Sequence, residues 1–266
     1  MIPKKIHYCW FGKNPLPESA KKCIESWKKY MSNYEIIEWN EDNYDVHKIP
    51  YIAQAYENKK YAFVSDYARF DILYEHGGIY FDTDVEVLKD VTELCNKGNW
   101  CGVESTSDRA LNAGLGIAAQ RREPVFKEIL DSYKDSFFIN EDGSFNLYTV
   151  VERVSDIFRK YGFKSSNEIQ FCANFYIYPK EYFCPKDCNS GILTITENTY
   201  TIHHYDASWV DEWRKQLLLV EHKRIKKYGN KKIIRIVNLL NHVFCAFKNM
   251  GFIKGFKYCL NKLNRG

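Results

Sequence analysis

The chain has 266 residues, enough to bury the core of one large domain, or of one domain with an appendage. Its formal charge of +4 is unevenly spread, because twelve Lys or Arg between His222 and Gly266 meet no Asp or Glu. No stretch reaches the roughly 20 apolar residues of a membrane span, the opening Met1-Ile2-Pro3-Lys4-Lys5 lacks the apolar run of a signal peptide, and no nucleic-acid recognition motif stands out.

Residues 6–11 read as a buried first strand, ended by Gly12 and the turn-like Asn14-Pro15-Leu16-Pro17. A sheet that takes ligands at its carboxyl edge would set Trp10 and Phe11 beside a nucleotide. An aromatic ring there can stack on a base. The plainer reading of Trp10 is core. Residues 18–30 form an amphipathic helix with Ala20, Ile24 and Trp27 on one face. Residues 34–39 make a second strand, 40–43 a polar loop and 52–56 a short helix.

Residues 65–88 hold the chemistry. Ser65 is a suitable N-cap, and Tyr67, Phe70, Leu73 and Tyr74 then recur at helical steps. Gly77 suits the left-handed residue that closes a helix. Asp66 and Arg69 share one helix face. There an acid can accept from ribose hydroxyls and an arginine can grip a phosphate. Their plainer reading is a surface ion pair. Ile79, Tyr80 and Phe81 continue as a buried strand into Asp82-Thr83-Asp84. Strand geometry points Asp82 and Asp84 to the same side. Two carboxylates so close disfavour each other unless a positive charge lies between them, and hard oxygen ligands suit Mn²⁺ or Mg²⁺. A solvated polar turn is the plainer reading of such a short motif.

Further on, 91–94 reads as a short helix and 100–104 as a strand. The run 111–119, with Asn112, Gly114 and Gly116, is small enough for backbone to approach a ligand closely. Residues 124–133 and 147–161 read as helices, and 175–179 and 182–185 as strands or edges. In Thr201-Ile202-His203-His204-Tyr205-Asp206-Ala207-Ser208-Trp209, an imidazole can complete a metal set begun by the carboxylates. Alternation along a strand lets one of His203 and His204 face the metal and does not choose between them. Ser208 and Trp209 are placed to hold diphosphate oxygens. Residues 220–266 mix basic charge with apolar residues at helical intervals, which suits a helix lying on an anionic leaflet. A basic hairpin packed on the domain is the other reading. Strands alternating with helices predict an α/β sandwich with a mostly parallel sheet. The nine cysteines show no metal-type pairing and suit a reducing cytosol.

Taken together, Ser65-Asp66-x-x-Arg69, His76-Gly77-Gly78-Ile79-Tyr80, Asp82-x-Asp84 and the closing H-x-x-x-x-S-W string resemble the family 32 glycosyltransferases. That group includes bacterial capsule and cell-surface polysaccharide enzymes. The resemblance spans residues 1–210. It implies a GT-A-like, Rossmann-type mixed sheet flanked by helices, here with a basic helical C-terminal extension (domains 1–215 and 216–266). It also implies a retaining hexosyl transfer from a nucleotide-sugar donor, of the UDP-galactose or UDP-glucose type, to a glycan or lipid-linked oligosaccharide acceptor, with Mn²⁺ or Mg²⁺ as cofactor. The expected catalytic residues are Asp82, Asp84 and Arg69. The expected donor contacts are Trp10, Phe11, Asp66, Arg69, Tyr80, Asp82, Thr83, Asn112, Ser208 and Trp209. The expected metal ligands are Asp82, Asp84, His203 and His204. Relatives carry a Gly-Pro pair before the helix that follows Asn146-Leu147-Tyr148, and this chain does not, which leaves its acceptor side open. The expected location is cytoplasmic, on the inner face of the plasma membrane, with residues 222–266 against anionic lipid and no nucleic acid as partner.

Two other functions fit parts of the pattern. Ile79-Tyr80-Phe81-Asp82-Thr83-Asp84 partly resembles the opening motif of haloacid-dehalogenase-type phosphatases, in which the first Asp is the nucleophile. Glu86 stands where that motif wants Thr or Val. A carbohydrate-binding protein that keeps the site without turnover is the third reading.

Overall fold

The computed structural model describes residues 1–105, 110–164, 166–188, 190–206, 212–229, 231–251, 255–256 and 259. Two compact units emerge: Met1–Pro185 with Thr194–Tyr205, and Lys186–Leu193 with Asp206–Gly266.

In the first unit the chain runs β1 (Lys5–Cys9), α1 (Glu18–Tyr30), β2 (Glu35–Trp39), α2 (Pro50–Glu57), α3 (Tyr61–His76), β3 (Gly78–Tyr80) and β4 (Val85–Val87). It continues through α4 (Thr92–Lys97), β5 (Asn99–Gly102), β6 (Ile117–Ala119), α5 (Pro124–Asp131), α6 (Val150–Lys160), β7 (Gln170–Cys172), β8 (Phe175–Tyr178), α7 (Lys180–Phe183) and β9 (Thr201–His203). The main sheet has the order β2-β1-β3-β6-β5-β8-β7, and β4 pairs with β9 in a separate ribbon. β1 lies parallel to β2 and β3, and β5 parallel to β8. β6 is antiparallel to both β3 and β5, and β7 to β8.

The sheet is therefore mixed, where the alternation of elements predicted mostly parallel. The reason is local: β7 reaches β8 by a tight turn, and the β5–β6 link holds no helix among the described residues, whereas parallel neighbours need a longer crossover, usually helical. The β7–β8 link is two residues, Ala173 and Asn174, both at positive φ, as a tight hairpin requires.

Period-two alternation gives the sheet two apolar faces. Ile79, Phe81, Trp100 and Ala118 join one core with Trp27 of α1, Leu94 of α4 and Phe183 of α7. Tyr80, Cys101, Ile117 and Ala119 join the other with residues of α2, α3, α5 and α6. The predicted α/β architecture, with a mixed sheet flanked by helices, is the one observed.

Three local expectations change. Ser65 does not cap a helix: α3 begins four residues earlier, and the Ser65 hydroxyl donates back to the Tyr61 carbonyl at 3.2 Å. Residues 182–183 lie in the short helix α7 rather than in a strand. The strand that begins at Gly78 stops at Tyr80, so the paired aspartates lie in a turn. Gly77 does close α3 as expected, with φ 61° and its amide bonded to the Leu73 carbonyl at 2.8 Å.

The second unit holds helices α8 (Glu212–Tyr228) and α9 (Lys232–Met250). A bridge between Lys186 and Leu193 belongs to it as well. No helix among the described residues is long and apolar enough to cross a membrane.

Candidate active site

α3 leads into the site. Its residue Arg69 is only 4% exposed and is held on three sides. Nε donates to the Ser65 carbonyl at 3.1 Å, and Nη2 lies 2.8 Å from Asp66 Oδ1 and 3.3 Å from Asp82 Oδ1. The guanidinium also sits 4.8 Å over the Tyr80 ring. Its Nη1 is buried without a hydrogen-bond partner. Burial works against the Arg69 charge, yet Asp82, Tyr80 and Asp66 outweigh it and hold the group charged. Burial pushes the Asp66 carboxyl up to about 6, with Arg69 opposing the rise and Asp82 adding to it.

The turn brings the second carboxylate round. Val85 N donates to the Asp82 carbonyl at 3.1 Å, which closes the turn at Thr83 and Asp84. Asp82 Oδ1 accepts from the Tyr80 hydroxyl at 3.0 Å. β4 then pairs antiparallel with β9, with Val85 opposite His203. That register sets His203 Nε2 3.2 Å from Asp84 Oδ1. Asp82, Asp84 and His203 each offer a ligand atom, and these atoms lie within 4.8 Å of one another. Two hard carboxylate oxygens with one imidazole form a donor set that fits Mn²⁺ or Mg²⁺. Burial lowers the His203 pKa, but the charge of Asp84 and its hydrogen bond more than reverse that, and the net shift is upward.

His204, the neighbouring candidate, is turned away. It pairs with Glu86 at 2.8 Å, as expected when successive side chains leave a strand on opposite sides. The alternation that allowed only one ligand thus selects His203.

The glycine-rich run forms a wall of the site. A Cβ on Gly114 would lie 2.0 Å from Asp82 Oδ2, so only glycine fits between the wall and the carboxylate. The Asp82 amide donates to the Gly114 carbonyl at 3.1 Å. Asn112 Oδ1 accepts from Gly114 N at 2.7 Å, while Nδ2 donates to Glu104 Oε2 at 2.7 Å. Both ends of the Asn112 amide are thus engaged within the protein, which fixes its orientation in the wall and leaves one N–H and one lone pair beyond these two bonds. Glu104 is the residue that sequence reasoning missed. Burial raises its pKa, while Asn112 and His203 pull it down.

The other expected donor contacts divide. Tyr80 and Thr83 stand in or beside the cluster, Tyr80 through its hydroxyl. Trp10 is half-buried just beyond β1, and its indole donates to the Asn14 carbonyl at 2.6 Å. Phe11 is instead buried in the core against Tyr44, with ring centroids 5.9 Å apart. The next residue after an outward-facing Trp10 must turn inward, so Phe11 is a packing residue. Ser208 and Trp209 lie outside the described residues.

Residues 17–106 match the family model described as a glycosyltransferase sugar-binding region containing a DXD motif. That stretch, about a third of the chain, is similar to the DXD region of glycosyltransferases. A transferase that moves sugar is the enzyme class this match supports, and it lends no support to the phosphatase reading. An uncharacterized glycosyltransferase of Acanthamoeba polyphaga mimivirus is 26% identical over 236 residues, covering 84% of this chain and 90% of that protein. An inositol phosphoceramide mannosyltransferase of Schizosaccharomyces pombe is 30% identical over 125 residues, covering 44% of this chain and 33% of that one. Among solved structures, the PaToxG glycosyltransferase aligns with 60% of this chain and 69% of its own at 19% identity. Its TM-score is 0.44, so the fold assignment rests on the sheet order itself.

Proposed function

We propose that this chain is a metal-dependent, retaining glycosyltransferase of the GT-A type. It would move a hexose from a nucleoside diphosphate sugar, with UDP-galactose and UDP-glucose the first candidates, to a glycan or lipid-linked oligosaccharide in capsule or cell-surface polysaccharide synthesis. A lipid-linked acceptor would place the reaction at the inner face of the plasma membrane. The observation that carries the reading is the convergence of Asp82, Asp84 and His203 within 4.8 Å, beside an arginine with a spare buried donor.

In this reading Asp82, Asp84 and His203 would hold Mn²⁺ or Mg²⁺, which when bound neutralises a departing diphosphate. Arg69, fixed by Asp66 and the Ser65 carbonyl, points its unpartnered Nη1 toward an anionic oxygen. Asp66 accepts from a hydroxyl of the donor, and Trp10 stacks on its base. Retention by a front-face route needs no protein base, because the leaving phosphate oxygen can accept the proton of the incoming hydroxyl.

The test pairs binding with turnover. A thermal-shift screen of nucleotide sugars should show stabilisation by a uridine diphosphate sugar only when Mn²⁺ is present. Asp84→Asn should keep the fold and lose transfer at least about a hundredfold, as expected when transition-state charge stabilisation is removed. Full activity of Asp84→Asn in a chelating buffer would end this reading.

A further inference from the structure

The α8–α9 pair buries polar groups and leaves a row of large apolar residues outside. Polar side chains link the two helices, beside the buried apolar Leu217, Ile225 and Ala246. Arg224 of α8 donates to Asn238 Oδ1 of α9 at 2.6 Å, and Glu221 pairs with His242 at 2.9 Å, both partners buried. Several large apolar residues of α9 face outward, while Ile234, Val237, Val243 and Phe247 are half-buried. Ile233, Ile236, Leu240 and Phe244 are 65, 49, 62 and 69% exposed. Their spacing of three, four and four places them along one stripe of the helix. A water-exposed helix normally shows the reverse arrangement, and contiguous apolar surface of this kind marks a face that something covers.

Charge says what covers it. Lys223, Lys226 and Lys227 fall in the last turns of α8 and Lys231, Lys232 and Arg235 at the start of α9, and residues 222–266 contain no acid. An apolar stripe on a strongly basic hairpin, whose Glu221 is buried against His242, matches the boundary of an anionic bilayer, where acyl chains take the stripe and headgroups take the lysines. Neither helix can span a bilayer. We infer that the Ile233–Ile236–Leu240–Phe244 face of α9 lies in the plane of an anionic membrane surface. This inference stands on the hairpin alone and does not depend on the sugar-transfer reading.

The full-length protein should co-sediment with vesicles of phosphatidylcholine containing about a third phosphatidylglycerol, and at least tenfold less with pure phosphatidylcholine. Raising the salt from 0.1 to 0.5 M should weaken the anionic binding, because headgroup attraction falls off within a Debye length. The double variant Leu240→Ser with Phe244→Ser, at exposed positions, should keep its circular dichroism and lose vesicle binding about tenfold or more. Three results would overturn the inference: equal binding to neutral and anionic vesicles, no binding to either, or unchanged binding by the folded double variant. A wild-type dimer in light scattering that the double variant abolishes, without vesicle binding, would assign the face to a second copy instead.

Discussion

Gly114 tolerates no side chain, because its missing Cβ is the space that Asp82 Oδ2 occupies, 2.0 Å away. Gly114→Ala should push Asp82 off the Tyr80 hydroxyl and cost about 1–3 kcal/mol of stability by overpacking. Mn²⁺ affinity should fall about tenfold or more, and calorimetric titration of wild type and variant would show it. Unchanged affinity would mean that Asp82 does not hold the ion. His203 gives a pH signature in the metal-free protein. Its pKa lies above the ordinary 6.5, so the folded state binds the proton more tightly than the unfolded chain. Its pairing with Asp84 stabilises fully below pH 6.5 and is lost as pH rises through the raised value. Thermal melts in EDTA should show that decline in wild type and not in His203→Gln. At this scale much of the site was legible. Asp82 and Asp84 sit in a local motif, and His203 stands in a string that resembles a known closing motif. Glu104 was not legible, since one glutamate after a strand reads like any surface acid until Asn112 is seen against it.

The elements that aim these residues are short, and larger ones anchor them. Trp27 of α1 is fully buried and donates its indole N–H to the Val85 carbonyl at 2.7 Å, while Ser26 Oγ accepts from Val87 N at 2.9 Å. α1 thereby fixes β4, and β4 fixes the strand that carries His203. Trp27→Phe keeps an aromatic ring but leaves that carbonyl unpaired in the core. The expected cost is about 1–3 kcal/mol in urea unfolding, with weaker Mn²⁺ binding. A stability loss without any change in metal affinity would detach α1 from the site. The helices of the first unit were visible in the sequence because their apolar faces repeat every three or four residues. The turn at residues 82–84 was one of two readings, a polar turn or a strand carried through. Strand-forming residues stand on both sides of Asp82-Thr83-Asp84, and what divides them is a change of partner: β3 pairs within the main sheet, β4 with β9. Partners distant in sequence leave no local mark.

For the whole molecule, binding at a site assembled from distant segments must register as global stability. Mn²⁺ at about a hundred times its Kd should add about 2.7 kcal/mol to the unfolding free energy of the unit that carries the cluster. Asp84→Asn should gain almost nothing, and urea unfolding with and without Mn²⁺ measures both. Equal gains in the two proteins would place the ion elsewhere. The α/β class was readable because strand and helix patterns alternate. Alternation alone predicted a mostly parallel sheet, and the mixed order came only with the family resemblance, since it depends on which strands pair. The pairing of Val85 with His203 also sets a timetable. A nascent chain presents both aspartates to the ribosome exit long before the imidazole is made, with more than a hundred residues still to come. If these three groups hold a cation as proposed, competence to grip it is a late event in biosynthesis, and a polypeptide truncated anywhere between these strands would emerge with its acids in place and its imidazole missing.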